Sequence, residues 1–227
     1  MLTALVPCLD ELESLTRLES ELFAALSALG EHEALFIDDG SADGTGAALE
    51  ALAKRHAGTR VIRHGATRGI GGSLKSGIAA AKGDWLVFLD ADLTFHPSFI
   101  RGLLEAQDTF DADCVSGSPF LGGMPGVPWG RKLPSLALNA FYRGLFDGKL
   151  TSYTPMFRLY RTADLRKLDL ASDGFEVSVE VLVKLLQAGK KVVEVPTPLT
   201  VRTAGASKLR RWRELRAHLR LAASLLG

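Results

Sequence analysis

Residues 85–92 read Trp85-Leu86-Val87-Phe88-Leu89-Asp90-Ala91-Asp92, five apolar residues running directly into a pair of acids. Five is the length of a buried strand and far short of a bilayer crossing. Short apolar runs at 2–6, 34–37 and 60–63 predict three more strands. Between them, residues 11–29 place Leu12, Leu15, Leu18, Leu22, Leu26 and Leu29 three or four apart, the spacing of an amphipathic helix, and Gly30 stops it. Residues 41–57 and 70–81 predict two further helices. This alternation predicts an α/β fold with a mostly parallel, doubly wound sheet. The second half adds strands at 113–117, near 155–160 and at 191–195, helices near 132–146 and 176–188, and a Gly/Pro-rich loop at 118–130.

The chain has 227 residues, of which 47% are hydrophobic and 23% charged, which excludes a disordered or fibrous protein. Its N-terminus lacks a basic segment and a small-residue cleavage site, so it reads as a first strand instead of a secretion signal. Two cysteines, Cys8 and Cys114, are expected to be reduced thiols of a cytosolic protein. The net charge of +1 is unevenly spread: residues 202–220 hold seven Lys/Arg against one acid, Glu214. That tail points to an anionic partner. The expected organisation is one domain over 1–205 and a basic amphipathic helix over 206–227.

Ligands of doubly wound sheets bind beyond the carboxyl ends of the strands. Three such ends are polar: Pro7 through Glu11, Asp38 through Ser41, and Asp90 through Asp92. A turn at Ala91 lets Asp90 and Asp92 reach one small volume and hold a hard divalent cation beside a diphosphate; otherwise the acids form a solvated turn. Asp39, Ser41, Asp43, Gly44 and Glu50 match a calcium-loop spacing, but a strand precedes them and Gly46 occupies an apolar position, which excludes that motif. Asp39 suits the ring N–H of a uracil or guanine, or is merely a cap; Ser41 or Asp43 is expected to cap the second helix. Arg68-Gly69-Ile70-Gly71-Gly72-Ser73 fails the dinucleotide and Walker patterns, yet Gly71 permits close backbone approach and Arg68 can meet a phosphate. The alternative is packing glycines.

Arg202 and Lys208 flank a glycine loop that can fold over a diphosphate, or form an ordinary basic turn. Beyond it, Leu209, Trp212, Leu215, Leu219, Ala222 and Leu226 make an apolar stripe opposite arginines, which suits either an anionic bilayer or the helix's own domain. Glu176 and Glu180 share a helix face as base, sugar ligand or surface pair. Without aromatics among the arginines except Trp212, a nucleic-acid partner is not expected.

Taken in order, these clusters resemble family 2 glycosyltransferases of the GT-A fold, a Rossmann-like architecture, and most closely the dolichol-phosphate mannose synthase-like branch. The residues that carry the resemblance are Val6-Pro7 with Glu11, Phe36 through Thr45, Arg68 through Ser73, Lys82-Gly83-Asp84, and Leu89 through Leu93. They continue with Gly174-Phe175-Glu176, Val179-Glu180, Val193 through Pro196, and Arg202 through Lys208. The resemblance implies inverting transfer of a hexose from a nucleotide sugar, of GDP-mannose or UDP-glucose type, to a polyprenyl phosphate. It implies Asp39 against the base with Pro7 and Glu11 nearby. It also implies Asp90, Ala91 and Asp92 at the diphosphate with Mg²⁺ or Mn²⁺, and Arg202, Ser207 and Lys208 on a phosphate-binding loop. Asp92, Glu176 and Glu180 are the catalytic candidates. A peripheral enzyme on the cytoplasmic membrane face, held by the tail helix, is the expected setting.

The chain departs from that family at Asp10, where Asn is usual, and at Thr94, where a metal-binding Gln is common. Ser118-Pro119 replaces a Ser-Arg pair, leaving Arg131 and Lys132 as candidates for the acceptor phosphate, and residues 151–158 also differ. A soluble or cell-wall hydroxyl acceptor, needing Asp173, Glu176 or Glu180 as base, is the alternative, as is a non-catalytic nucleotide-binding relative.

Overall fold

A computed structural model describes residues 1–146, 150–200 and 211–226. Among these, seven strands form one sheet: β1 (Leu2–Cys8), β2 (His32–Asp38), β3 (Thr59–Arg63), β4 (Trp85–Phe88), β5 (Cys114–Ser118), β6 (Arg158–Arg161) and β7 (Val192–Pro196), in the order β3-β2-β1-β4-β6-β5-β7. β6 alone runs antiparallel to its neighbours, β4 and β5. Sequence periodicity carries no direction. β6 is reversed because it starts where β5 ends, with Arg158 opposite Ser116.

The helices are α1 (Leu15–Ser27), α2 (Thr45–Arg55), α3 (Gly69–Ala80), α4 (Ile100–Phe110), α5 (Pro119–Gly122), α6 (Trp129–Leu145), α7 (Thr162–Leu165), α8 (Val177–Gln187) and α9 (Arg211–Leu226). Leu2, Ala4, Val6 and Cys8 of β1 join Leu18, Leu22, Leu49 and Leu103 of α1, α2 and α4 on one face of the sheet. Leu5 turns to the other face, toward Leu74 and Ile78 of α3 and Val181 of α8. This is the period-two alternation of a strand buried on both sides. A third cluster joins Tyr142 of α6, Leu182 of α8, and Leu221 and Ala222 of α9. The tail helix therefore packs on its own domain through Leu221 and Ala222, while Leu215, Leu219 and Leu226 stay exposed. No helix among the described residues is long and apolar enough to cross a membrane.

Several boundaries shift for local reasons. The first helix starts at Leu15 after a 3-10 turn, Leu12–Ser14, because residues 10–12 are tied to the loop after β2. Glu11 N donates to Thr45 Oγ1 at 2.9 Å, and Leu12 N to Asp43 Oδ2 at 3.1 Å. α2 starts at Thr45, after Gly44 at φ 98°. Asp43 caps it through the Thr45 amide at 2.9 Å, whereas Ser41 accepts from Asp10 N. α4, which the sequence reading does not include, buries Ile100, Leu103 and Ala106. The loop expected at 118–130 contains the short helix α5.

Candidate active site

The strand order reverses between β1 and β4, and such a switch point is where doubly wound sheets open a crevice. β4 leaves the ladder after Leu5↔Phe88, whereas β1 continues beside β2 to Cys8↔Asp38. Pro7, which lacks an amide hydrogen, lies in this stretch beyond β4.

On the β2 side, Asp39 is buried. Its Oδ1 accepts from His64 Nδ1 at 2.6 Å and Arg68 N at 2.9 Å, and its Oδ2 from Gly69 N at 2.9 Å. Three donors occupy most of a carboxylate's four or so acceptor positions, so the group is fixed in orientation with room for about one more donor. His64 Nε2 lies 2.9 Å from Ser76 Oγ. With Nδ1–H donating to the carboxylate, the serine hydroxyl donates to Nε2. His64 was missed in the sequence, although it stands directly after the third strand, where the strand-end rule would have found it.

The neighbouring loops are laced together. Ala42 N donates to Asp10 Oδ1 at 2.9 Å, Ser41 N to Asp38 Oδ1 at 3.0 Å, and Ser14 Oγ to Glu11 Oε2 at 2.9 Å. Asp10 sits at φ 48°, a left-handed conformation that acids tolerate. Burial raises the affinity of the Asp43 carboxyl for protons, but hydrogen bonds from Thr45 and Leu12 outweigh it and hold the group below the usual carboxylate range.

On the β4 side, Leu93 N donates to Asp90 O at 3.1 Å, closing a turn in which Ala91 is buried in the core while Asp90 and Asp92 are partly exposed. Asp92 Oδ1 accepts from Thr94 N at 3.1 Å. The two acids offer hard oxygen donors that suit Mg²⁺ or Mn²⁺. Among the described residues no group of three or more His, Cys, Asp or Glu converges to hold a metal, so a cation at this turn fits only with phosphate oxygens and water completing its shell. Thr200 N and Oγ1 both donate to Thr94 O, at 2.9 and 3.2 Å. This ties the end of the β7 connection to the acidic turn. Arg202, Ser207 and Lys208 follow it in sequence and lie outside the described residues.

The other candidates separate. The Gly71 amide donates to Asp173 O at 2.9 Å, and a Cβ there would lie 2.3 Å from Ser172 O. The close approach that this glycine allows is by the backbone of 172–173. The Arg68 side chain is exposed. Glu180, one of the catalytic candidates, is buried and held from within the protein: its Oε1 accepts from Ala171 N at 2.9 Å and Lys184 Nζ at 2.7 Å, and its Oε2 from Ser172 N at 2.8 Å. Burial pushes its proton affinity up, but these donors prevail and hold the carboxyl below its usual range. Buried and held by three donors, it staples the 171–173 loop that supports the start of α3, and thus the amides holding Asp39. Glu176 is buried, with Oε1 3.3 Å from Gly174 N. Lys132 Nζ lies 5.4 Å over the Trp129 ring, and the side chain of Arg131 lies outside the description. Arg158 is completely buried, donating to Ser116 Oγ, Ser178 O and Tyr153 O. Cys8 and Cys114 are buried, unpaired thiols, and burial pushes Cys114 up to about 12.

Comparison with known proteins places these features in context. Residues 3–169 match the model of Glycosyl transferase family 2. The chain is 33% identical to the undecaprenyl-phosphate mannosyltransferase of Micrococcus luteus, over 90% of this chain and 86% of that protein. It is 30% identical to the polyprenol monophosphomannose synthase of Mycolicibacterium smegmatis, over 90% of this chain and 79% of that one. Among solved structures, glucosyl-3-phosphoglycerate synthase from Mycobacterium tuberculosis superposes with a TM-score of 0.76 at 22% identity, covering 99% of this chain and 79% of that one. Another structure of that enzyme contains Mn²⁺ and uridine diphosphate.

Proposed function

The chain belongs to glycosyl transferase family 2 and is a glycosyltransferase, and on that premise we propose that it moves a hexose from a nucleotide sugar to a polyprenyl phosphate with inversion at the anomeric carbon. One observation carries the donor half: the Asp90–Asp92 turn ends the strand beside β1 at the switch point, with Thr200 tied to it. The names of the two relatives, similar over most of both chains, supply the acceptor class. Asp39, held by His64 and the α3 amides, accepts a ring N–H of the base. Pro7, Glu11 and Ala91 border the same crevice. Asp90 and Asp92 are the residues that hold a divalent cation, which offsets charge on the departing nucleoside diphosphate. Arg202 and Lys208, two and eight residues beyond the Thr200 clip, neutralise the same diphosphate from the loop.

An acceptor phosphate is already anionic at neutral pH, so one of its oxygens attacks the anomeric carbon without a strong base while the diphosphate leaves with the bonding electrons. Glu180, held by three donors and below its usual carboxylate range, is a weak base for a hydroxyl acceptor, which supports a phosphate one as far as that residue is concerned. The enzyme works peripherally at the cytoplasmic membrane face. The test is transfer of labelled hexose from GDP-mannose or UDP-glucose to a short-chain polyprenyl phosphate, with Mg²⁺ or Mn²⁺. The expected result is label in the lipid fraction, lowered about a hundredfold or more by Asp92→Asn. Label that passes only to water or to a soluble hydroxyl compound overturns the reading.

A further inference from the structure

α6 packs on the domain through Leu138, Tyr142 and Leu145. Its opposite face carries Trp129, Leu133, Leu136 and Ala140, spaced four, three and four apart and therefore aligned. Trp129 and Leu133 are 71% and 59% exposed, and Leu136 is exposed as well. A surface helix ordinarily keeps its apolar stripe inward and presents polar side chains to water. Here the outer face is apolar too, and a continuous exposed apolar strip marks a contact surface.

The charge around the strip favours one kind of occupant. Residues 114–146 contain no Asp or Glu, in a chain with 26 acids. Lys132 lies over the Trp129 ring, and Arg143 is exposed one turn beyond Ala140 and two beyond Leu136. An acid-free apolar face bordered by cations, with a tryptophan at its end, complements the interface of an anionic bilayer. A second copy would set the same cations against each other. α6 also follows β5, which runs parallel to β4, so the chain enters the helix from the sheet edge that bears Asp39 and Asp90.

We infer that the outer face of α6, through Trp129, Leu133 and Leu136, is the surface that docks on an anionic lipid bilayer. The inference rests on the reading that the acceptor is a membrane lipid phosphate, and it moves the main membrane contact from α9 to α6. The apolar surface of α9 is divided: Leu221 and Ala222 face the domain, leaving Leu215 and Leu219 outside.

Because Cys8 and Cys114 are buried, Leu136→Cys in the full chain carries an environment-sensitive fluorophore alone. The probe is expected to shift to the blue on vesicles of phosphatidylcholine with roughly one third phosphatidylglycerol, and much less on phosphatidylcholine alone. In a separate, unlabelled protein, Trp129→Ser with Leu133→Ser lowers the vesicle-bound fraction about tenfold or more, as removal of two large apolar side chains from an interface requires. An unmoved probe overturns the inference. So does a shift at a Leu219→Cys probe with none at 136, which assigns the contact to α9, or a shift at 136 that grows with protein concentration and no lipid, which assigns it to a second copy. The vesicles carry neither donor nor acceptor, so a failure of the unsubstituted chain to bind them, or full binding by the double variant, overturns the docking face alone. Transfer to detergent-dispersed polyprenyl phosphate tests the acceptor reading separately.

Discussion

Asp39 is oriented by two backbone amides and one side chain, and His64 is that side chain. The imidazole is buried and braced by Ser76, so it selects one carboxylate rotamer before any ligand arrives. A hydrogen bond to a charged group contributes about 1.5–3 kcal/mol, which corresponds to about ten- to a hundredfold in affinity. Because His64 acts through Asp39 and not on the reacting atoms, His64→Ala is expected to raise the donor KM by about tenfold or more while kcat changes little. His64→Asn restores much of the loss, since its amide can replace the lost N–H donor. Steady-state kinetics at saturating acceptor check this. A fall in kcat with an unchanged KM would contradict the positioning role. The acids of this site were legible because each follows a short, unbroken apolar run. His64 follows such a run as well, but a lone histidine carries no motif. The partners of Glu180 were not legible, because spacing shows that two glutamates share a face and not that one is held by amides of its own preceding loop.

At the scale of elements, the helices and strands followed from periodicity, and the misplaced ends share one cause. Residues 10–12 and 38–45 are committed to each other by side-chain to backbone bonds, so neither helix can begin where its apolar stripe begins. Long-range bonds of this kind leave no trace in a periodic pattern. The same limit applies to α9, whose stripe suits a bilayer and a protein core equally well. Its docking depends on Tyr142 Oη, which lies 2.9 Å from His218 Nδ1 and donates to His218 O. Burial depresses the proton affinity of His218, opposed by the nearby Glu176 carboxylate. The unfolded chain therefore takes up a proton near pH 6.5, where the folded one still resists. This penalty is absent above that pH and grows as the pH falls below it toward the depressed folded value. The melting temperature is expected to fall between pH 6.5 and 5 more steeply than in His218→Gln. Amide exchange in α9 should rise in the same window. Parallel pH profiles for the two proteins would show that this histidine does not secure the helix.

For the whole molecule, the fold class and the polar sheet edge that carries the candidate site were readable, because a parallel sheet obliges its strands to be apolar runs and gathers its polar residues at one end. The reversed β6 and the third core cluster were not, since they depend on where the chain returns after α6. The whole molecule also reports on its own site through ligand linkage. A nucleoside diphosphate that binds only the folded state at about a hundred times its Kd stabilises it by about 2.7 kcal/mol. In a chain of about this length that raises the melting temperature by roughly 5–11 °C. If Asp39 meets the base as proposed, UDP, GDP, CDP and dTDP are distinguished there, and one of them should give most of that shift. On the proposed site, Mg²⁺ or Mn²⁺ should add to the shift only when the diphosphate is present, because Asp90 and Asp92 would provide part of a coordination shell and the phosphates the rest. In Asp92→Asn the increment from the cation should disappear while that from the nucleotide largely persists, since Asp39 and its donors lie at the end of a different strand. A cation effect of equal size without nucleotide, or one that survives Asp92→Asn, would place metal binding elsewhere in the molecule.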